Sequence, residues 1–137
     1  MVKKLVSVLT VMLFLFTFSP QTQAAAATYG PWKITSYSAG DWDSVMASPN
    51  RNVTSLKINI KQYGVHSGQK ADILWHVWET GTVGKTSWSK RISSDYTGTL
   101  VVNGLNPSKD YSVGWISKTN NDLSGQWSVS IDGSVTR

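Results

Sequence analysis

Cysteine is absent from the chain, which excludes disulfides, thiolate metal sites and cysteine catalysis together. Acid–base chemistry is thinly provided for: His66, His76, a single glutamate (Glu79) and seven aspartates. No recognised arrangement of a nucleophile with its base, or of paired carboxylates, surrounds any of them. His76 would need an orienting acid to serve as a general base, and the sequence designates none. The expectation is a protein that is not an enzyme and carries no cofactor.

Long apolar runs are scarce as well. The one present is "LVSVLTVMLFLFTF" (Leu5 to Phe18), which follows the basic start "MVKK" and precedes the small residues of "SPQTQAAAA". That is the order of a secretory signal peptide, here residues 1–27, with cleavage after Ala24 to Ala27. An uncleaved anchor is the rival. Fourteen apolar residues span roughly 21 Å as a helix, against a hydrocarbon core of roughly 30 Å. Residues 28–137 are then one secreted domain, extracellular or attached to the cell surface. Lacking disulfides, it must hold itself by its core, a ligand or a partner.

Excess charge is small. The chain has 13 Lys and Arg against 8 Asp and Glu. Without Lys3 and Lys4 the balance is 11 against 8, a net of +3. That suits an anionic wall or membrane surface and is too weak to imply nucleic acid.

Helical periodicity is nearly missing, and short alternating runs separated by Gly, Asn, Asp, Ser and Pro take its place. In "VTSLKINIKQY" Leu56, Ile58 and Ile60 share one face, with Lys57, Asn59 and Lys61 on the other. "ADILWHVWET", "TSWSKRI", "GTLVVNGL", "DYSVGWISKT" and "QWSVSIDGSV" repeat the habit. The pattern predicts an all-β chain, a single antiparallel β-sandwich of about seven strands. "SAGDWDSVMASPN" is expected to be a long polar connection, with a helical turn around Trp42 and Met46. Asp41 and Asp43 there could begin a calcium site, but the further carboxylates are missing and a turn or helix cap accounts for Asp41 equally. No metal is expected.

One motif is more specific. "GLNPSKDYSV" (Gly104 to Val113) resembles the Leu-x-Pro-x-x-x-Tyr-x-Val pattern of fibronectin type III and immunoglobulin-like sandwiches. The resemblance covers only the C-terminal part of the chain. It implies a tyrosine corner, with Tyr111 buried and its hydroxyl bonded to upstream backbone, and with Tyr111, Val113 and Trp115 on the core face. It implies no function, because such sandwiches host many.

Aromatic residues are the one excess: seven tryptophans. Trp32, Trp115 and Trp127 lie on apolar faces and belong to the core. In "ILWHVWETG" one parity collects Ile73, Trp75 and Val77, and the other collects Leu74, His76 and Trp78. The first set faces the core, which turns Trp78 outward. Trp42 lies in a polar connection and Trp88 among polar and basic neighbours. These three are the candidate ligand platform, with His76, Lys90 and Arg91 in support. Packing is the competing account, in which the long connection folds over the sheet and buries Trp42 with Trp78.

Three functions are compatible with these features. The first is a secreted non-catalytic binding module for a cell-wall or extracellular polysaccharide. Its tryptophans would stack on sugar rings, and Lys57, Lys61, Lys90 and Arg91 would attract anionic wall polymer. The second is a membrane-active protein, a bacteriocin or toxin, since Trp and Lys favour bilayer interfaces. The third is an inhibitor or matrix component that binds proteins through its sheet edges. The sequence leaves the oligomeric state open.

Overall fold

From Leu56 to Gln62 every second residue is buried, and the same period of two governs most of the other strands. The computed structural model describes residues 27–46, 53–82 and 85–131. Within them are eight strands: β1 (Ala27–Ser36), β2 (Trp42–Met46), β3 (Leu56–Gly64), β4 (Ile73–Glu79), β5 (Trp88–Ile92), β6 (Tyr96–Val102), β7 (Tyr111–Ser117) and β8 (Leu123–Ile131). The expected signal peptide lies outside the described residues, except that Ala27 already opens β1.

The strands form two four-stranded sheets, ordered β1-β8-β3-β6 and β2-β7-β4-β5, with every neighbouring pair antiparallel. The all-β sandwich stands, with eight strands rather than seven. Its order is that of a jelly roll, in which first and last strands pair. It is not the immunoglobulin order, in which the first two strands pair. The resemblance at the C-terminal end therefore carries a local motif and not a topology. That motif works as expected: Tyr111 is buried and its hydroxyl accepts the Asn106 N–H at 2.8 Å.

The core between the sheets is built from Ile34, Leu56, Ile58, Ile73, Trp75, Val77, Val113, Trp115, Trp127 and Val129 with their neighbours. Trp127 joins the layers, its ring 4.8 Å from Trp32 and 5.5 Å, edge-on, from Trp75. Polar side chains are buried as well, Gln62 the largest of those described. Gln62, continuing the core face of β3, accepts the Trp75 indole N–H at 2.8 Å and donates to the carbonyls of Ile92 and Ser94. It thus ties β3 of one sheet to β4 and the end of β5 in the other. A buried amide is tolerable here because its partners are supplied.

Loops at one end of the sandwich are bound together by carboxylates. Asp41 accepts the backbone N–H groups of Tyr37 and Ser38 and the hydroxyls of Ser36 and Ser38. Asp95 accepts the N–H groups of Gly64 and Ala71. Asp72 takes a two-pronged bond from Arg91, at 2.8 and 2.7 Å. Each of these aspartates is held below the ordinary carboxylate value. For Asp41 and Asp95 the cause is the backbone N–H donors, and for Asp72 the Arg91 guanidinium. Asp41 is therefore a turn residue with its oxygens committed, as one of the two sequence accounts held.

Candidate functional site

The polar connection that carries Trp42 is a strand, not a helical turn. Its residues pair with β7, Trp42 opposite Ile116 and Ser44 opposite Gly114, so β2 closes one edge of its sheet. The alternation Trp42, Ser44, Met46 then faces solvent with Ile116 of β7 and with Leu74, His76 and Trp78 of β4. Trp42 is 69% exposed. The competing account, with Trp42 and Trp78 buried together, is not what forms.

Trp78 is half-buried, and its ring reaches back along the sheet instead of standing in solvent. A Cβ placed on Gly114 would lie 3.1 Å from the far edge of the Trp78 indole. The indole thus covers the one position of β7 that offers no side chain. His76 sits beside it, ring centroids 4.7 Å apart and planes inclined by 34°. Burial lowers the proton affinity of His76, opposed by a hydrogen bond to the Leu74 backbone, and the charge of Lys118 lowers it further. The lowered affinity favours the neutral imidazole.

Together Trp42, Ser44, His76, Trp78, Lys85, Thr86 and Ile116 line an open cleft of about 490 Å³. Counting four residues along β7 and two strand spacings across, the backbone positions of Trp42 and Trp78 are offset by about 13 Å and about 10 Å. The surface between them is apolar at Ile116 and polar at Ser44, His76 and Thr86. Among the described lining residues Lys85 carries the single charge, and there is no carboxylate. His66, the other histidine, lies elsewhere, 2.7 Å from Asp122 on the surface.

The structure separates the remaining candidates from this cleft. Trp88 pairs with Val77, a core residue, and packs against the core cluster from the inner face of β5. Its polar neighbours misled because β5 is an edge strand: Ser89, Lys90 and Arg91 are all exposed whichever way they point. Lys90 pairs with Trp75 on that same inner face. Arg91 is on the cleft side, opposite Leu74, but its guanidinium is occupied by Asp72. Lys57 and Lys61 belong to β3 in the other sheet. Five contributors were missed: Ser44, Lys85, Thr86, Gly114 and Ile116. Gly114 offers no chemistry of its own to notice, and Lys85 stands just before β5, outside any pattern.

No protein-family model and no curated protein matches the sequence. Solved structures share the fold loosely. A subunit of the disulfide-linked pili of Bacillus endospore appendages has a TM-score of 0.49 at 7% identity, covering 88% of this chain and 99% of that one. The CBM36-1 domain of a xylanase from the hindgut metagenome of Trinervitermes trinervoides has 0.48 at 7%, covering 77% and 96%. The second N-terminal cellulose-binding domain of Cellulomonas fimi glucanase C has 0.47 at 13%, covering 85% and 90%. Carbohydrate-binding modules, pilus subunits and capsid proteins thus occur side by side among the similar folds. At these scores none of them assigns a role to a residue of this chain.

Proposed function

We propose that this protein is a secreted, non-catalytic binding module that holds a polysaccharide on the outer face of the β2-β7-β4-β5 sheet. The observation that carries the proposal is the exposed Trp42 facing a cleft whose far side is the Trp78 indole laid over Gly114. A ring as large as tryptophan buries about 150–250 Å² when enclosed. Leaving most of it in water forgoes about 3–4 kcal/mol as an upper bound, against a domain stability of roughly 5–15 kcal/mol. Sugar rings present flat C–H faces that such an indole can cover, while Ser44, Thr86 and His76 offer hydrogen bonds to hydroxyls. A cleft whose described lining residues include a histidine and no carboxylate is furnished for binding rather than for hydrolysis. An exported wall or matrix glycan is the natural partner.

Co-sedimentation with purified cell wall, cellulose, xylan, chitin and anionic liposomes tests this. The proposal expects saturable pelleting with at least one glycan, retained at high salt because stacking is not screened. Pelleting with liposomes alone, accompanied by leakage, would replace it with the membrane-active reading.

A further inference from the structure

Three lysines and no carboxylate occur in the four strands of the β1-β8-β3-β6 sheet: Lys33 in β1, and Lys57 and Lys61 in β3. All three project from its outer face, since they pair with Gln126, Ser130 and Val101, and Thr97, while the alternate residues enter the core. The seven described carboxylates lie in β2, β4 or the loops. The described residues hold nine Lys and Arg against seven Asp and Glu, an excess of two. The sheet alone contributes three, so the rest of the described molecule is net negative by one. The excess of positive charge among the described residues therefore lies on one face, opposite the tryptophans, while the other six cations are outnumbered by the seven carboxylates.

The same face is an ordered field of hydroxyls and amides. Thr28 and Ser130 are 3.1 Å apart, Asn59 donates to Ser128 and Ser130, and Thr99 donates to Asn59. Beside this ladder lies a shallow depression of about 330 Å³, lined by polar residues such as Asn59, Lys61, Thr97 and Gln126 and also by the apolar Pro31 and Trp127. Lys33 and Lys61 flank Gln126 in one row, two strand spacings or about 10 Å apart, and Lys57 stands about 13 Å along β3 from Lys61. An extended chain lying across the strands meets cations at that interval and hydroxyl or amide groups between them.

We infer that this face is a second binding surface, for an anionic hydroxylated polymer whose charge is carried by carboxylate or phosphate groups. Charge complementarity names the partner's sign, and the hydroxyl and amide ladder names its polyol character. Membrane binding fits less well, because Val101 and Tyr63 are the only large apolar side chains the described face exposes. The site is independent of the tryptophan cleft, so the molecule has two faces with different ligands.

Binding of the protein to polygalacturonate, to poly(glycerol phosphate) and to neutral dextran, at about 50 mM and about 500 mM salt, tests the inference. At least one of the two polyanions is expected to bind at low salt and to be released at high salt, with dextran unbound at this face. K33Q/K57Q/K61Q should weaken polyanion binding on the order of tenfold or more, with the thermal midpoint unchanged because all three side chains are exposed. Removing the same charge elsewhere, in K70Q/K90Q/K109Q, should cost less than about twofold, and Trp42→Ala should cost nothing. Failure of both polyanions to bind, equal losses in the two triple variants, or abolition by Trp42→Ala would each overturn it. So would binding of anionic vesicles or duplex DNA at this face in preference to both polymers.

Discussion

The Trp78 indole lies over Gly114, and a methyl group at that position would come within 3.1 Å of the ring and 2.7 Å of the Asp43 carbonyl. The shape of the cleft therefore depends on a residue with no side chain, in the middle of the central strand β7. Gly114→Ala is expected to lift the indole and press on β2, abolishing glycan binding while lowering the melting temperature by several degrees. Trp fluorescence would report the moved ring. Unchanged binding by this variant would mean the ring's position does not matter.

Gln62 is the polar link through the core. Gln62→Leu removes the acceptor for the Trp75 N–H and the donor to two carbonyls, a loss of about 1–3 kcal/mol for buried groups left unpaired. Urea unfolding should show the drop at unchanged m-value.

The tyrosine corner contributes less. Tyr111→Phe keeps the buried ring and deletes the bond to the Asn106 N–H, so a loss of about 0.5–1.5 kcal/mol is expected. Equilibrium denaturation measures it.

Acid should act at the loop end tied by Asp41, Asp72 and Asp95. Their folded proton affinities are below the ordinary aspartate value of 3.8, so the unfolded chain takes up protons first. Their stabilisation is complete above that value and disappears as the pH falls through the lowered folded values. Melting temperatures measured against pH should stay level near neutrality and fall below about pH 4. Asp95→Asn should flatten that fall.

The alternation in "ILWHVWE" was enough to send Trp75 inward and Trp78 outward, because a strand bordered by partners on both sides has one core face and obeys it. The corner around Tyr111 was legible for a different reason: its hydrogen bond spans five residues. Topology was not legible, since the pairing of β1 with β8 joins residues about a hundred positions apart and no local pattern encodes it. In edge strands polar neighbours do not decide exposure. Trp42 in "GDWDSVM" and Trp88 in "TSWSKRI" both sit among polar residues, yet one is 69% exposed and the other packs on the core. Their registers against β7 and β4 decide this. The lysines of β1 and β3 were visible strand by strand but acquired meaning only when those strands assembled into one sheet.

The paired variants Trp42→Ala and Trp88→Ala separate platform from core in a single experiment. Each is titrated with the glycan that the protein pellets with, and each is melted. Trp42→Ala should lose on the order of tenfold or more in affinity, equivalent to about 1.4 kcal/mol, at an unchanged melting temperature. Trp88→Ala should melt several degrees lower and keep its affinity. Full affinity in Trp42→Ala, with or without a lower melting temperature of that variant, would contradict the account and return Trp42 to a packing role.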